Sequence, residues 1–188
     1  MGTVGKKAVF LDRDGTIIVE KEFLSDPNGI ELIPGADNAI KKLNNADFAV
    51  VILSNQSGVA RGYFGEDTVK SINNRIIEIF ANEGARIDAI YYCPHYPDGI
   101  VPEYSIRCGC RKPEMGLVKR AIEELGIEPA FMVGDRKDDV LLGNNLGVPA
   151  ILVLTGYGTN CVDEVSDIAT HIAHDINDAV NWILNFRL

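Results

Sequence analysis

Ala8-Val9-Phe10-Leu11-Asp12-Arg13-Asp14-Gly15-Thr16 is an apolar run that stops on two carboxylates one residue apart. A strand inside a parallel sheet is buried on both faces and reads as unbroken apolar sequence, and ligands of open α/β sheets sit beyond the carboxyl ends of such strands. Asp12 and Asp14 would project there. Like charges that close need a cation or a proton to coexist, so a divalent metal is the natural third partner. A solvated turn, with an Asp as cap and Gly15 at positive φ, would use the same residues, and the rest of the chain has to decide.

Working outward, apolar runs alternate with helical spacing. Ala8 to Leu11, Ala49 to Leu53, Ala89 to Tyr92, Ala130 to Val133 and Ala150 to Leu154 read as strands, with Thr170 to His174 as a short edge strand. Helices are predicted over Ala36 to Asn44, Glu66 to Asn82, Gly116 to Leu125, Asp138 to Leu146 and Ile176 to Phe186, with Gly84, Gly126 and Gly147 as stop signals. Strands separated by helices imply an α/β fold around a parallel sheet. The 188 residues, 46% hydrophobic and 24% charged, suit one domain spanning 1–188. Two irregular stretches rich in Pro and Gly, Phe23 to Pro34 and Pro94 to Pro113, have the length of binding loops.

The formal charge of −9 speaks against a nucleic-acid-binding surface. It leaves room for a small anionic substrate, because Arg13, Arg61, Arg111, Lys112, Arg136 and Lys137 all fall in or beside the motifs and act within a Debye length of about 8 Å. The chain has no run of eighteen apolar residues and no long apolar stretch ahead of its first acidic residues. A cytoplasmic protein without a membrane partner is therefore expected.

Three further segments carry chemistry. Val51-Ile52-Leu53-Ser54-Asn55-Gln56-Ser57-Gly58 is another apolar strand, ending in donors: Ser54 can bond a phosphoryl oxygen, and Asn55 with the backbone amides of Gln56 and Ser57 can form an anion nest. Read alone, it is equally a helix cap or turn. Arg111-Lys112-Pro113 offers a planar fork and a point charge for phosphate or a sugar hydroxyl. Phe131-Met132-Val133-Gly134-Asp135 repeats the strand that ends in a carboxylate, with Asp135 as a metal ligand. Asp138 and Asp139 follow as helix caps, or as groups that orient Lys112 or a metal-bound water.

Cys93-Pro94-His95 is followed, after twelve residues, by Cys108-Gly109-Cys110. Four soft ligands bracketing an irregular loop form a strong zinc signal, and all four positions are protein ligands, as in a structural site. A disulfide is the competing reading, but closely spaced Cys108 and Cys110 in a reducing compartment are more naturally chelators. Cys161, His171 and His174 lie outside the pattern and complete no site.

Asp12-x-Asp14-Gly15-Thr16 and the three later segments resemble motifs I to IV of the haloacid dehalogenase superfamily of phosphohydrolases. That resemblance implies a three-layer α/β/α, Rossmann-like fold without a large cap domain. It also implies an aspartyl-phosphate mechanism with Asp12 as nucleophile, Asp14 as acid and base, and Ser54 and Lys112 on the phosphoryl oxygens. Magnesium would be held by the side chains of Asp12 and Asp135 and the backbone carbonyl of Asp14.

With the zinc loop, the motifs span Phe10 to Asp139 and resemble the family of heptose 1,7-bisphosphate phosphatases. Histidinol-phosphate phosphatases share these features but generally lack the Ala60-Arg61-Gly62 turn found in Asn55 to Phe64. Arg61 is a candidate clamp for a second phosphate. The family's flap corresponds to Glu20 to Phe23, which departs from the usual wording, and makes Glu20 and Phe23 candidate sugar contacts. Arg136 stands where another basic residue is often found. The resemblance implies release of the C7 phosphate from a small sugar bisphosphate during nucleotide-activated heptose synthesis, for lipopolysaccharide precursors in a bacterium. A monomer is expected, because this architecture can close its core on its own. The anomer is not legible. A phosphotransferase and a noncatalytic phosphate-binding module remain as other readings.

Overall fold

Short runs of β-branched residues, each closed by a glycine or polar turn and followed by an amphipathic stretch, produce a regular strand-helix alternation in the computed structural model, which describes residues 5–187. Residues 1–4 and 188 of the expected 1–188 unit lie outside the described residues. The elements in chain order are β1 (Lys6–Leu11), α1 (Ala36–Asn45), β2 (Ala49–Asn55), α2 (Glu66–Asn82), β3 (Ala89–Cys93), α3 (Gly116–Leu125) and β4 (Ile127–Gly134). They continue with α4 (Lys137–Leu146), β5 (Ala150–Val153), α5 (Gly158–Val165), β6 (His171–Ala173) and α6 (Ile176–Asn185).

One six-stranded sheet, every neighbouring pair parallel, runs in the order β3-β2-β1-β4-β5-β6. The chain builds outward from β1 to β3, then returns to the centre and builds outward the other way from β4. The reversal falls between β1 and β4, and that is where loops diverge and leave a crevice at the carboxyl ends of an open sheet.

Side chains alternate across the central strands and feed two cores. Val9, Leu11, Val50, Ile52, Phe131 and Val133 pack against α1, α2 and α6 on one face. Ala8, Phe10, Val51, Leu53 and Met132 face α3 and Leu142 of α4 on the other. A smaller cluster joins Val140 of α4 and Val165 of α5 to Ala150 and Leu152. Three layers result, as the family resemblance implies.

The long connections carry little regular structure. Residues 12–35 hold two isolated bridges, Asp14 with Ile18 and Ile18 with Leu32, and one 3-10 turn, Pro27–Gly29. Residues 94–115 contain no helix or strand among the described residues. No cap domain is inserted, so these two loops wall the crevice themselves. Among the described residues, no helix is long and apolar enough to cross a membrane.

Candidate active site

Asp12 follows β1 and Asp135 follows β4, so the two central strands deliver both carboxylates to the crevice. Asp139, in the first turn of α4, joins them, and carboxylate oxygens of the three lie within 4.8 Å of one another. Lys112 enters from the loop after β3. Its ammonium donates to Asp12 Oδ1 at 2.5 Å and to the carbonyl of Leu53 at 2.8 Å, and it pairs with Asp139 Oδ1 at 2.6 Å. Asp139 does both things its position allows, because its Oδ2 also accepts from the backbone N–H of Arg136 and caps α4.

Three carboxylates and one ammonium leave this buried cluster two charges short of neutrality. Burial opposes the Lys112 ammonium, yet the Asp12 and Asp139 charges outweigh it and push its pKa up. Burial pushes Asp139 up, Lys112 pulls it back, and Asp12 pushes it up further. Since Lys112 keeps its proton, Asp139 is the charged partner of that pair. The spare proton belongs with Asp135, whose carboxyl is pushed up to about 8 by burial and then by Asp12 and Asp139.

A divalent cation fits this donor set. Asp135 is 0% exposed, its Oδ2 accepts from the backbone N–H of Tyr157 at 2.8 Å, and its buried Oδ1 has no hydrogen-bond partner. A hard cation with oxygen ligands would satisfy that orphan oxygen and restore the charge balance. Space is kept for the Asp135 carboxylate by Gly15 and Gly156, both at positive φ; a Cβ on either would collide with it.

Asp14 is held at the wall of the crevice by three donors. Arg13 Nε and Nη2 reach Asp14 Oδ2 and Oδ1 at 3.0 and 3.1 Å, and Gln56 Nε2 reaches Oδ2 at 2.9 Å and Ser54 Oγ at 2.7 Å. Arg13 thereby departs from the expected substrate contact. It is 1% exposed, its remaining donor goes to Asn73 of α2 at 2.9 Å, and it stands behind Asp14 rather than in the crevice. Asn55 also departs from expectation. Its side-chain amide bonds both the carbonyl and the N–H of Lys112, at 3.1 and 2.9 Å, so its polar atoms hold Lys112 in place instead of a ligand.

The crevice encloses about 300 Å³. Asp12, Asp14, Ser54 and Lys112 line it together with Arg61, Arg111, Arg136, Gln56, Ser57, Phe23 and Glu20. Tyr96, which gave no sequence signal beyond its place next to His95, organises two of these cations: the Arg61 guanidinium lies 4.1 Å from its ring centroid and that of Arg111 5.2 Å. Cations stacked on an aromatic face keep their edge donors free for an anion. Phe23 meets Tyr63 edge to face at 4.5 Å and borders Arg61. Glu20 pairs with Arg136 at 3.3 Å, and its buried Oε1 lacks a partner. Burial, then the Asp14 charge, raise the Glu20 pKa against the pull of Arg136.

The four residues of the Cys and His pattern come together, as their spacing predicts. Cys93, His95, Cys108 and Cys110 bring their Sγ atoms and His95 Nδ1 together, with five contacts from 3.0 to 3.5 Å. A tetrahedral zinc with bonds of about 2.3 Å sets its ligand atoms roughly 3.7 Å apart, so the quartet needs only slight expansion. None of the cysteines is in a disulfide. Arg111 follows directly and donates to the carbonyl of His95 at 3.3 Å, which ties the crevice cations to the loop.

The fold and site define a haloacid-dehalogenase-type hydrolase, and the HAD-hydrolase-like family model matches residues 109–179. A D-glycero-β-D-manno-heptose-1,7-bisphosphate 7-phosphatase of Haemophilus ducreyi is 41% identical over 95% of this chain and 100% of its own length. The one of Escherichia coli is 36% identical over 95% and 88%. A D,D-heptose 1,7-bisphosphate phosphatase from B. bronchiseptica, crystallised with magnesium and phosphate, superposes with a TM-score of 0.83 at 30% identity over 96% of this chain and 98% of that one. The chain belongs to the heptose-1,7-bisphosphate 7-phosphatase family.

The buried carboxylates give the metal-free protein a distinctive pH response. A carboxyl whose folded pKa is about 8, against 3.8 when free, binds its proton more tightly when folded, so stability present at low pH is lost as pH rises through that interval. Without divalent cations, thermal unfolding followed by circular dichroism should show Tm falling by about 5 °C from pH 6 to pH 8. Magnesium should reverse the fall, and Asp135→Asn should flatten it; an Asp135→Asn slope equal to that of the wild type would contradict the assignment.

Proposed function

We propose that this chain is a magnesium-dependent phosphatase that removes the C7 phosphate of D-glycero-D-manno-heptose 1,7-bisphosphate and leaves heptose 1-phosphate. The observation that carries the reading is the lining of one crevice. Asp12 and Asp139 of the carboxylate cradle line the same crevice as two arginines stacked on Tyr96. A substrate with a reacting phosphate and a second, retained phosphate matches that combination; histidinol phosphate has no use for the second. The β anomer is the proposed form, in keeping with the names of the Haemophilus and Escherichia relatives.

In the proposed mechanism Asp12 attacks phosphorus in line. An Asp12 oxygen-phosphorus bond forms, the bond to the sugar oxygen breaks, and Asp14 gives that oxygen a proton. Asp14 then takes a proton from water, the water oxygen attacks phosphorus, and Asp12 is released with inorganic phosphate. Magnesium, held by the side chains of Asp12 and Asp135 with the backbone carbonyl of Asp14, supplies charge neutralisation for the phosphoryl oxygens. Lys112 and Ser54 stabilise the same oxygens. Arg13 and Gln56 keep Asp14 aimed at the departing oxygen. Arg61 and Arg111 retain the second phosphate, while the free acceptor of Glu20 takes a sugar hydroxyl.

Zinc bound by Cys93, His95, Cys108 and Cys110 is proposed to be structural, since it leaves no open coordination position. The protein is further proposed to act as a single-domain monomer in the cytoplasm, where thiols stay reduced and available as ligands.

Phosphate release in magnesium, compared as kcat/KM for both heptose bisphosphate anomers, fructose 1,6-bisphosphate and histidinol phosphate, tests the reading. The β anomer should lead by at least about ten-fold, and a preference for histidinol phosphate would overturn the substrate. By elemental analysis, Cys108→Ser should lose the single equivalent of zinc, whereas undiminished zinc would reject this ligand set.

A further inference from the structure

Glu66 begins α2, outside the crevice, and collects two phenols from different parts of the chain. Tyr92 of β3 donates to Glu66 Oε2 at 2.5 Å, and Tyr104 of the zinc loop donates to Glu66 Oε1 at 2.9 Å. One carboxylate therefore joins the loop to a helix start and to a strand of the sheet. The backbone carbonyl of Tyr104 in turn accepts from the backbone N–H of Tyr96 at 3.0 Å, and Tyr96 is the ring on which Arg61 and Arg111 lie.

A groove of about 660 Å³ runs beside the loop, bordered by Glu66, Lys70, Tyr91, His95, Cys110 and Arg120. Elsewhere the loop is tied by its own cysteine and histidine quartet and by the N–H groups of Ile100 and Val101 on the carbonyl of Ala60, beside Arg61. The quartet ties the loop to the end of β3 through Cys93, and the Ala60 carbonyl ties it to the Arg61 turn. The Glu66 carboxylate adds the tie between the Tyr104 part of the loop and the start of α2.

We propose that Glu66 is a positioning residue for substrate selection: through Tyr104 and Tyr96 it sets where Arg61 and Arg111 meet the phosphate that is not cleaved. This rests on the sugar-bisphosphate reading above. Glu66 touches neither the carboxylate cradle nor Lys112, so its influence falls on binding of the second anion and leaves the displacement at phosphorus alone.

The test compares Tyr104→Phe, Glu66→Ala and Glu66→Gln with the wild type, using a sugar bisphosphate and p-nitrophenyl phosphate in magnesium. Tyr104→Phe and Glu66→Ala should raise KM for the bisphosphate about ten-fold with kcat within about two-fold of wild type. Activity on p-nitrophenyl phosphate, zinc content and Tm should stay unchanged, and Glu66→Gln, which keeps an acceptor, should recover part of the KM. Equal losses on both substrates would mean a merely structural role and overturn the proposal. Unchanged bisphosphate KM in Tyr104→Phe would overturn the role of Glu66 alone, whereas a wild-type protein without preference for the bisphosphate would remove the clamp itself.

Discussion

The Lys112 ammonium is the contact on which the site depends. It joins the end of β2 through the Leu53 carbonyl, the end of β1 through Asp12 and the start of α4 through Asp139. At 4% exposure its charge is out of water, and so are those of its partners. Such an arrangement adds little net stability, because desolvation offsets the attraction, but removing one partner leaves uncompensated charge and costs about 3–5 kcal/mol. What the lysine secures is position. Asn55 grips its backbone on both sides, so the ammonium and the carboxylates it pairs with are fixed from both directions.

The same residue explains why a cysteine and histidine cluster sits beside this sheet. Cys110, Arg111 and Lys112 are consecutive, so ordering the sulfur and imidazole quartet also orders the cation that reaches Asp12 and the cation stacked on Tyr96. A domain that lacks a cap has to build substrate contacts from loops, and loops without regular structure lose conformational entropy when they order. The Cys93, His95, Cys108 and Cys110 cluster, the Ala60 carbonyl and the Glu66 carboxylate tie the segment at separate points along residues 93–112.

Much of this was legible because the chemistry sits at strand ends. Apolar runs closing on Asp12, on Ser54 and on Asp135 gave three strands and the residues of the candidate site together, and the Cys93, His95, Cys108 and Cys110 cluster was exposed by spacing alone. Legibility failed where tertiary context decides. Helix α5 (Gly158–Val165) opens with Gly, Thr and Asn and buries only Gly158 and Val165, so its pattern is weak. Strand β4 starts three residues earlier than its apolar core, at Ile127, because Glu128 and Pro129 disguise it; the pairing with β1 shifts register between Ala8 and Val9 as Pro129 passes. Arg13 looked like a substrate cation because it lies between two motif carboxylates. Nothing local tells that Asn73, sixty residues away, receives it and turns it inward. Tyr96 and Glu66 act through contacts that only the folded loop creates.

The central claim is that the carboxylate at the end of β1 accepts the phosphoryl group. Acid-quenched incubation with a substrate labelled in its reacting phosphate, followed by peptide mapping, tests it most directly. Label should appear on the peptide containing Asp12 in the wild-type protein and be absent from an Asp12→Asn variant with unchanged circular dichroism and no turnover. Label on another residue, or turnover by Asp12→Asn at the wild-type rate, would contradict the account.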